Sequence, residues 1–345
     1  MSPVQKNLTV PSKARIIGSA AFDIASAAHC LMGGELIGLP TETVYGLAAD
    51  ATNGQAVARI YEAKGRPQFN PLISHVPNLA KAMEHGVFDT TAIRLAEAFW
   101  PGPLTLVVPF NAGSRVCDLA RAGLDSIALR VPSHPVALAV LNAVGRPLAA
   151  PSANLSGRLS PTKAQDVLDD LGDKVSLVVD GGVCAVGVES TVIACRDGHM
   201  TLLRPGGIPR ESIEAAAGRT LAPKVSGELL RSPGLMESHY APFAPVRMNV
   251  VNFSDTDAIL AFGSTDLHKI YSANPYVNLS PDGNLREAAA LLFSALRELD
   301  AHHPTEIAVV SIPNHGLGEA INDRLQRAAA PRPFNGSGNP DGFDS

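Results

Sequence analysis

Five short segments in the first two hundred residues place hydroxyl groups or cationic side chains next to strand-like runs. An apolar run leads into Pro40-Thr-Glu-Thr-Val-Tyr-Gly-Leu47, and Ala63-Lys-Gly-Arg-Pro67 sets a lysine and an arginine on either side of a glycine. Arginine offers a planar fork that fits phosphate or carboxylate, lysine offers a point charge, and glycine lets a ligand approach the backbone closely. These residue types predict a site for an anionic ligand.

The other three segments extend this pattern. Ser126 and Arg130 lie four residues apart in an apolar run, so on a strand they share one face. The segment Ala149-Ala-Pro-Ser-Ala-Asn-Leu-Ser-Gly157 ends a strand in uncharged hydroxyl and amide groups, and Val188-Glu-Ser-Thr191 is matched by Leu203-Arg-Pro-Gly-Gly207. Each segment alone also fits an ordinary cap, polar loop or solvated face. The five together indicate one anion-binding cleft.

Several well-known catalytic signatures are missing from the sequence. It contains no phosphate-binding loop of the Gly-x4-Gly-Lys-Ser/Thr type, no Gly-x-Gly-x-x-Gly after a strand and no Gly-x-Ser-x-Gly elbow. The adjacent His302-His303 pair has no metal-ligand spacing and is expected on the surface. Cys30, Cys117, Cys184 and Cys195 form no Cys-x-x-Cys pair, so we expect reduced thiols, no zinc site and no disulfide framework.

Composition limits the class of protein. The 345 residues are 46% hydrophobic and 18% charged, which is typical of a globular chain and not of a disordered one. The net charge of −5 argues against a general nucleic-acid binder, yet residues 1–215 hold 18 Lys and Arg against 19 Asp and Glu. Because no run reaches about 18 apolar residues and the first residues lack an apolar signal core, we expect a soluble, cytoplasmic protein without membrane contact.

Alternating β-rich and amphipathic runs predict the elements that position these residues. Strands are expected at 36–40, 71–76, 105–108, 126–131, 147–150, 176–179, 190–194 and 201–203. Helices are expected at 20–32, 54–63, 90–99, 135–144, 162–171 and 209–217. This number of strands predicts an α/β domain whose twisted mixed sheet is flanked by helices.

The pattern changes after this first region. Residues 219–245 are rich in proline, serine and glycine but contain His239 and Tyr240, which favours an ordered arm over a flexible tether. Strand-like runs at 246–251 and 306–312 and helix-like runs at 284–299 and 318–329 predict a second, small α/β domain over 246–330. The tail, 331–345, is expected to be disordered.

Six motifs together resemble the YrdC-type threonylcarbamoyl-AMP synthases. They are Pro40-Thr-Glu-Thr-Val-Tyr-Gly-Leu47, Lys64-Gly-Arg-Pro67, Asn70-Pro-Leu-Ile-Ser-His75, Trp100-Pro-Gly-Pro-Leu-Thr105, Arg130-Val-Pro132 and Pro151-Ser-Ala-Asn-Leu-Ser-Gly157. The resemblance covers about 14–218 as a YrdC-like catalytic domain. The remainder is similar to the two-domain version of the family, in which the arm at 219–245 is a lid over the active site and the C-terminal domain is Rossmann-like.

The resemblance implies that L-threonine, bicarbonate and ATP give L-threonylcarbamoyl-AMP and pyrophosphate. The product would serve a downstream transferase that makes N6-threonylcarbamoyladenosine in tRNA, 3′ to the anticodon, with Mg²⁺ accompanying ATP and no protein-bound metal. The implied threonine contacts are Thr43, His75, Arg130, Ala150 and Ser190. The implied ATP contacts are Arg66, Asn70, Ser126, Ser152, Ser160, Arg204 and Tyr240. The implied catalytic group is Lys64, Arg66, Ser152 and Asn154.

One departure from the family and two alternative functions stay open at this point. Family members commonly carry a basic residue before His-Tyr-Ala-Pro, where this chain has Leu235-Met-Glu-Ser238. A carbamoyl-adenylate-forming enzyme would use carbamoyl phosphate instead of threonine and bicarbonate. A double-stranded RNA-binding or ribosome-maturation module would use the concave face of the same fold. The net charge of −1 over residues 1–215 argues against RNA binding as the main role but is compatible with weak tRNA contact.

Overall fold

Two sheets organise the chain. The structure, a computed structural model, describes residues 14–67, 70–222, 239–264 and 274–331. Within these ranges, ten strands form a mixed sheet and four strands form a smaller one. The disordered tail predicted for 331–345 and most of the predicted arm lie outside the described residues.

The fourteen strands of the two sheets are short. They are β1 (Arg15–Ile17), β2 (Ile37–Leu39), β3 (Gly46–Asp50), β4 (Ile73–His75), β5 (Leu104–Pro109), β6 (Ser126–Arg130), β7 (Leu148–Ala149), β8 (Leu177–Val179), β9 (Thr191–Arg196), β10 (His199–Arg204), β11 (Val246–Arg247), β12 (Asp257–Ala261), β13 (Tyr276–Asn278) and β14 (Glu306–Val309). The α-helices are α1 (Ala21–Met32), α2 (Gly54–Lys64), α3 (Leu79–Met83), α4 (Thr90–Phe99), α5 (Pro135–Val144), α6 (Ala164–Leu171), α7 (Arg210–Ala217), α8 (Leu285–Asp300) and α9 (Leu317–Ala329). None of the described helices is both long and apolar enough to cross a membrane.

The large sheet runs in the order β1-β8-β2-β3-β7-β4-β6-β5-β9-β10 and mixes parallel with antiparallel pairs. Successive residues of a strand face opposite sides of a sheet. On β3, Leu47 and Ala49 therefore join one apolar cluster and Ala48 joins another, which also contains residues of α1 and α5. Helices cover both faces, as the predicted flanked mixed sheet requires.

The small sheet runs in the order β11-β14-β12-β13, and all three of its strand pairs are parallel. Its core is built from α8, α9 and the strands, with Phe293, Leu296, Ile321 and Leu325 all fully or almost fully buried. The fold-class prediction of a mixed α/β sheet with a small Rossmann-like α/β unit is confirmed.

The two units share buried contacts. Val44, Leu159 and Val188 of the first unit belong to the apolar cluster of the second. A Cβ on Gly187 would lie 2.4 Å from the backbone of Ala289 and Ala290 on α8. The backbones of the two units therefore approach each other there as closely as glycine allows. On the surface, Arg210 Nη2 pairs with Glu319 Oε1 at 2.6 Å.

Most predicted elements are present, and the errors have physical reasons. β3 is missing from the prediction because its residues, Gly-Leu-Ala-Ala-Asp, include none of the β-branched or aromatic types that mark strands. β1, α3, β12 and β13 were also not predicted, and all four have five residues or fewer. The strand predicted at 246–251 is shorter and ends at Arg247.

Candidate functional site

A small cavity lies between the large-sheet unit and the arm residues His239 and Tyr240. It leaves about 50 Å³ of free space, room for a few water molecules. Its wall is formed by Thr43, Val44, Arg66, Ile73, His75, Arg130, Ala150, Pro151, Ser152, Glu189, Ser190, Arg204, His239 and Tyr240. Three of these residues are arginines and one is a carboxylate, so the wall is predominantly cationic.

The end of α2 positions the Lys-Gly-Arg segment. Asn53 caps the start of the helix through its side chain, and Gly65 ends it in the left-handed conformation at φ 60°. This sharp end directs Lys64 and Arg66 in different directions, although only one residue separates them. Both side chains are buried, and neither has a direct carboxylate partner in the part of the chain that the structure describes, which is unusual for cations.

Lys64 holds the neighbouring polar loop. Its Nζ donates to the carbonyl oxygens of Ser152 at 2.6 Å and Asn154 at 2.5 Å, with the Asn154 side-chain oxygen at 3.4 Å. An ammonium group has three hydrogens, so these acceptors can use all of them. Burial, followed by the charge of Arg66, holds the pKa of Lys64 well below its usual value. In this arrangement Lys64 shapes the loop and does not line the cavity.

Arg66 does line the cavity. Its Nη2 donates to the carbonyl of Pro71 at 3.2 Å, and its Nε approaches the carbonyl of Asn70 at 3.4 Å. Burial lowers the pKa of Arg66 to about 10, which still leaves the guanidinium charged at neutral pH. Among the described residues, Arg66 donates only to carbonyl oxygens and pairs with no carboxylate, so its positive charge is available to an anion.

His75 and Arg130 sit side by side because β4 and β6 pair in parallel with these two residues in register. Arg130 Nη2 donates to Glu42 Oε1 at 2.7 Å, while Arg130 Nε has no partner among the described residues. Burial, and then the charge of Arg130, lower the pKa of His75 to about 3. His75 is therefore neutral at physiological pH and can accept or donate a hydrogen bond.

Strands β9 and β10 provide the opposite part of the wall. The Arg204 guanidinium donates to the Ser190 carbonyl, with its Nη2 at 2.9 Å, and burial lowers its pKa. Ser190 Oγ forms a 2.7 Å hydrogen bond with Thr105 Oγ1. Burial alone would raise the pKa of Glu189, but the charges of Arg324 and Arg204 hold it below its usual value.

The arm inserts two aromatic side chains into the cavity. The rings of His239 and Tyr240 meet edge to face at 4.0 Å, and both residues are buried. Tyr240 adopts φ 60°, a left-handed conformation that costs a non-glycine residue about 1–2 kcal/mol. Burial and the surrounding cations hold the pKa of His239 well below its usual value, so this ring is neutral too.

The structure brings together most, but not all, of the residues predicted from the sequence. The cavity wall contains Thr43, Arg66, His75, Arg130, Ala150, Ser152, Ser190, Arg204 and Tyr240. Lys64, Asn70 and Ser160 lie outside the wall but hydrogen bond with the wall residues Ser152, Arg66 and Glu189. Asn154 also lies outside the wall and bonds to Lys64 and to the carbonyl of Arg158. Ser126 does not line the cavity, since it begins β6 and Arg130 ends it.

Two acidic residues and one cation near the cavity were not predicted. Glu42 lies in the 40–47 motif and Glu189 in the 188–191 motif, and each pairs with a buried arginine. Arg324 on α9 is fully buried and reaches Glu189 from the second unit. One sequence signal would have found Arg324: it lies on the same helical face as Ala320, Ile321 and Ala328, where only apolar residues are expected.

Comparison with known proteins identifies the family. A family profile described as "Telomere recombination" matches residues 29–206, and one described as "Threonylcarbamoyl-AMP synthase, C-terminal domain" matches residues 208–330. The threonylcarbamoyl-AMP synthase of Bacillus subtilis is 41% identical over 90% of this chain and 93% of its own length. The chain belongs to the threonylcarbamoyl-AMP synthase family.

A second relative of this threonylcarbamoyl-AMP synthase family member also matches over most of its length. The enzyme of Pyrococcus abyssi is 38% identical, over 90% of this chain and 95% of its own. The crystal structure of P. abyssi Sua5 complexed with L-threonine superposes with a TM-score of 0.81 at 37% identity, covering 91% of this chain and 97% of that one. The similarity thus extends over both sheets.

Within the described ranges, no three His, Cys, Asp or Glu side chains come close enough to hold a metal ion. The cavity wall supplies guanidinium and hydroxyl groups, with Glu189 already paired to Arg324. This donor set does not fit a protein-bound metal centre. It fits an anion.

Proposed function

We propose that this cavity is where the chain converts L-threonine, bicarbonate and ATP into L-threonylcarbamoyl-AMP and pyrophosphate. The observation that carries the proposal is the convergence of three buried arginines, a neutral histidine and uncharged hydroxyl groups on one cavity in a chain of this family. The substrates have matching chemistry, because ATP and the carboxylate of threonine are anions and threonine also carries a hydroxyl.

The threonine end of the site would be formed by β4, β6 and the loops beside them. Arg130 would hold the carboxylate with the donors that Glu42 does not use. His75, which is neutral, would hydrogen bond with the hydroxyl or amine of threonine without repelling a cation. Thr43, Ala150 and Ser190 complete this predicted set, and all three line the same wall.

The nucleotide end would use the remaining cations. Arg66 and Arg204 line the cavity, and Ser152 and Tyr240 lie in the same wall. Asn70 and Ser160 lie just outside the wall, hydrogen-bonded to Arg66 and Glu189, and would contact ATP together with them. In the predicted catalytic group, Lys64 and Asn154 would shape the Ser152 loop. Ser126 begins β6, at the end of the strand away from Arg130, and its contact with ATP stays a prediction.

The chemistry needs charge and position more than a strong base. The threonine amine forms a carbamate with bicarbonate and water is lost; a carbamate oxygen then attacks the α-phosphorus, and the bond to the β-phosphate breaks to release pyrophosphate. Because the carbamate is already an anion, stabilising the negative phosphates is the main task of the protein. Arg66 and Arg204, which both line the cavity, would do this.

The arm at 219–245 would act as a lid. A nucleotide needs a pocket of about 300 Å³ or more, whereas the cavity leaves about 50 Å³ while His239 and Tyr240 occupy it. We therefore infer that these side chains move aside for substrates and close again over the adenylate, which excludes water from a hydrolysable product.

The remaining partners belong to the same proposal. Mg²⁺ would enter on the phosphates of ATP and not on a protein ligand set. The product would pass to a tRNA threonylcarbamoyl transferase in the cytoplasm, for use at the adenosine 3′ to the anticodon, and any tRNA contact by this chain would be weak. The net charge of −5 supports the last point.

Pyrophosphate release tests the proposal. Purified full-length protein is incubated with ATP, and threonine, bicarbonate or both are left out in turn. We expect release only with all three substrates. Release that ignores threonine would contradict the proposal, and dependence on carbamoyl phosphate would indicate a carbamoyl-adenylate-forming enzyme. If there is no release but duplex RNA is retained with steep salt dependence, the chain is an RNA-binding module.

A further inference from the structure

Arg324 connects the second unit to the cavity. Its side chain is fully buried, and its Nε donates to Glu189 Oε2 at 2.8 Å. Its Nη1 donates to the carbonyl of Pro205 at 2.9 Å and to Asp323 Oδ2 at 2.7 Å. Glu189 and Pro205 belong to the first unit, so one guanidinium from α9 holds two points of the large-sheet domain.

Three segments with predicted ATP contacts meet at this guanidinium. Glu189 accepts a hydrogen bond from Ser160 Oγ on its other oxygen. Pro205 directly follows Arg204, and the Tyr240 ring centre lies 5.2 Å from the Arg324 guanidinium carbon. The ring of Tyr240 also packs on Phe293 of α8 at 5.6 Å, which fixes its other side. Any shift of Arg324 would be passed to all three segments.

Stability alone is a weak explanation for this buried pair. Removing two charges from water costs about as much as their attraction returns, so a buried ion pair contributes little net stability compared with apolar packing. Other ion pairs also join the units, among them Arg297 with Asp170 and Arg210 with Glu319. The Arg210 pair is partly exposed, and neither of its residues lines the cavity wall. The Arg324 and Arg210 pairs therefore differ in position, although both join the same two units.

We propose that Arg324 is a positioning residue for ATP. It sets Glu189, the Pro205 carbonyl and the Tyr240 ring so that Ser160, Arg204 and Tyr240 face the nucleotide together. The second unit thereby takes part in ATP binding while forming none of the reacting groups. This inference rests on the proposed function, because it assumes that these three residues contact ATP.

Steady-state kinetics on the full-length protein test the positioning role of Arg324. The rate of pyrophosphate release is measured while the concentration of ATP, and then that of threonine, is varied. Replacing Arg324→Met should raise the KM for ATP about 10- to 100-fold, the range of a lost charge-assisted hydrogen bond. The KM for threonine should stay within about threefold, since no hydrogen bond of Arg324 reaches Thr43, His75 or Arg130. Arg324→Lys keeps the charge but not the fork, so it should restore part of the ATP affinity.

Two further variants separate positioning from folding. Arg324→Met leaves the Glu189 carboxylate buried and unpaired, which lowers the melting temperature. Adding Glu189→Gln removes this charge, so the double variant should regain melting temperature but keep the high KM for ATP. The control is Arg210→Gln, which breaks an ion pair between the units that lies away from the cavity wall, and it should leave both KM values unchanged.

An unchanged KM for ATP in Arg324→Met, with only a lower melting temperature, would overturn the inference and make Arg324 a structural residue. Equal increases in both KM values would overturn it as well. If the wild-type protein forms no product at all, the proposed function fails instead. Calorimetric binding of ATP to the wild type and to Arg324→Met then decides the inference by the same expected loss of affinity.

Discussion

The guanidinium of Arg130 and the carboxylate of Glu42 lie 2.7 Å apart beside the cavity. Both side chains are buried, and each keeps one atom, Arg130 Nε and Glu42 Oε2, without a hydrogen-bond partner among the described residues. The pair is thus only partly satisfied. Glu42 fixes the orientation of the arginine while leaving donors for a second carboxylate, which is the arrangement that recognition of an amino acid requires.

Replacing Arg130→Lys tests this arrangement. A lysine keeps the charge but cannot bind Glu42 and a substrate carboxylate through a planar fork. We expect the KM for threonine to rise about 10- to 100-fold, as for loss of one hydrogen bond between charged groups. The matched control is Arg146→Lys. Arg146 Nη1 pairs with Asp50 Oδ2 at a distance of 2.7 Å, and neither residue lines the cavity. The Arg146→Lys variant should therefore keep the wild-type KM for threonine.

Replacing Arg204→Gln tests the nucleotide end. Removing one cation that stabilises developing phosphate charge should lower kcat by about 10²–10³. The measurement is pyrophosphate release at saturating substrates. Arg196→Gln removes the same charge from β9, where Arg196 is half exposed and pairs with Asp125 on the surface. Equal losses in the two variants would mean that only net charge matters, which contradicts a local role for Arg204.

The pKa of His75 makes a prediction about acid stability. The unfolded chain binds a proton near pH 6.5, whereas the folded chain does so only at about pH 3. The stability linked to His75 is therefore fully present above pH 6.5 and is lost as the pH falls toward 3. Between pH 6 and 5, His75→Gln should reduce the slope of unfolding free energy by about 1.4 kcal/mol per pH unit.

Urea unfolding at several pH values measures that slope. His239 is also buried, with a lowered pKa, and contributes in the same direction, so the wild-type slope includes both residues. The exposed His302→Gln should leave the slope unchanged. An unchanged slope in His75→Gln would mean that His75 binds its proton equally in both states.

The contact between the units can be tested at Gly187. A methyl group there would meet the α8 backbone at 2.4 Å, and backbone cannot move aside as a side chain can. Gly187→Ala should destabilise the protein by about 1–3 kcal/mol more than Gly198→Ala. Gly198 has nearly the same backbone angle, φ 76° against 74°, but nothing within 4 Å of the added Cβ. Thermal unfolding compares the two, and equal effects would show that close approach is not important.

The sequence predicted the large sheet because its strands are bounded by turn residues and its helices have clear start and stop signals. Asn53 and Gly65 around α2 are an example, and both act as caps in the structure. It did not predict β3, whose Gly46–Asp50 residues are buried by neighbours distant in the chain and not by their own strand preference. Short strands such as β12 and β13 depend in the same way on tertiary contacts.

For the candidate site, the sequence indicated which residues take part, but it did not indicate where their side chains point. Arg66, Arg130 and Arg204 could be found because cations beside glycine, proline or a strand end stand out. Lys64 belongs to the same motif as Arg66, but because α2 ends at Gly65 the Lys64 side chain points to the carbonyl oxygens of the Ser152 loop and not into the cavity. Arg324 lies more than a hundred residues from Arg204 along the chain, and only the packing of the two units brings it to Glu189.

Isotope tracing tests directly whether the protein joins threonine, bicarbonate and ATP in one product. The full-length protein is supplied with threonine, ATP and ¹³C-bicarbonate, and the nucleotide products are analysed by mass spectrometry. We expect threonylcarbamoyl-AMP with the label in its carbamoyl carbon, and a loss of this product in Arg204→Gln. An unlabelled adenylate, or an adenylate without threonine, would contradict the proposed function.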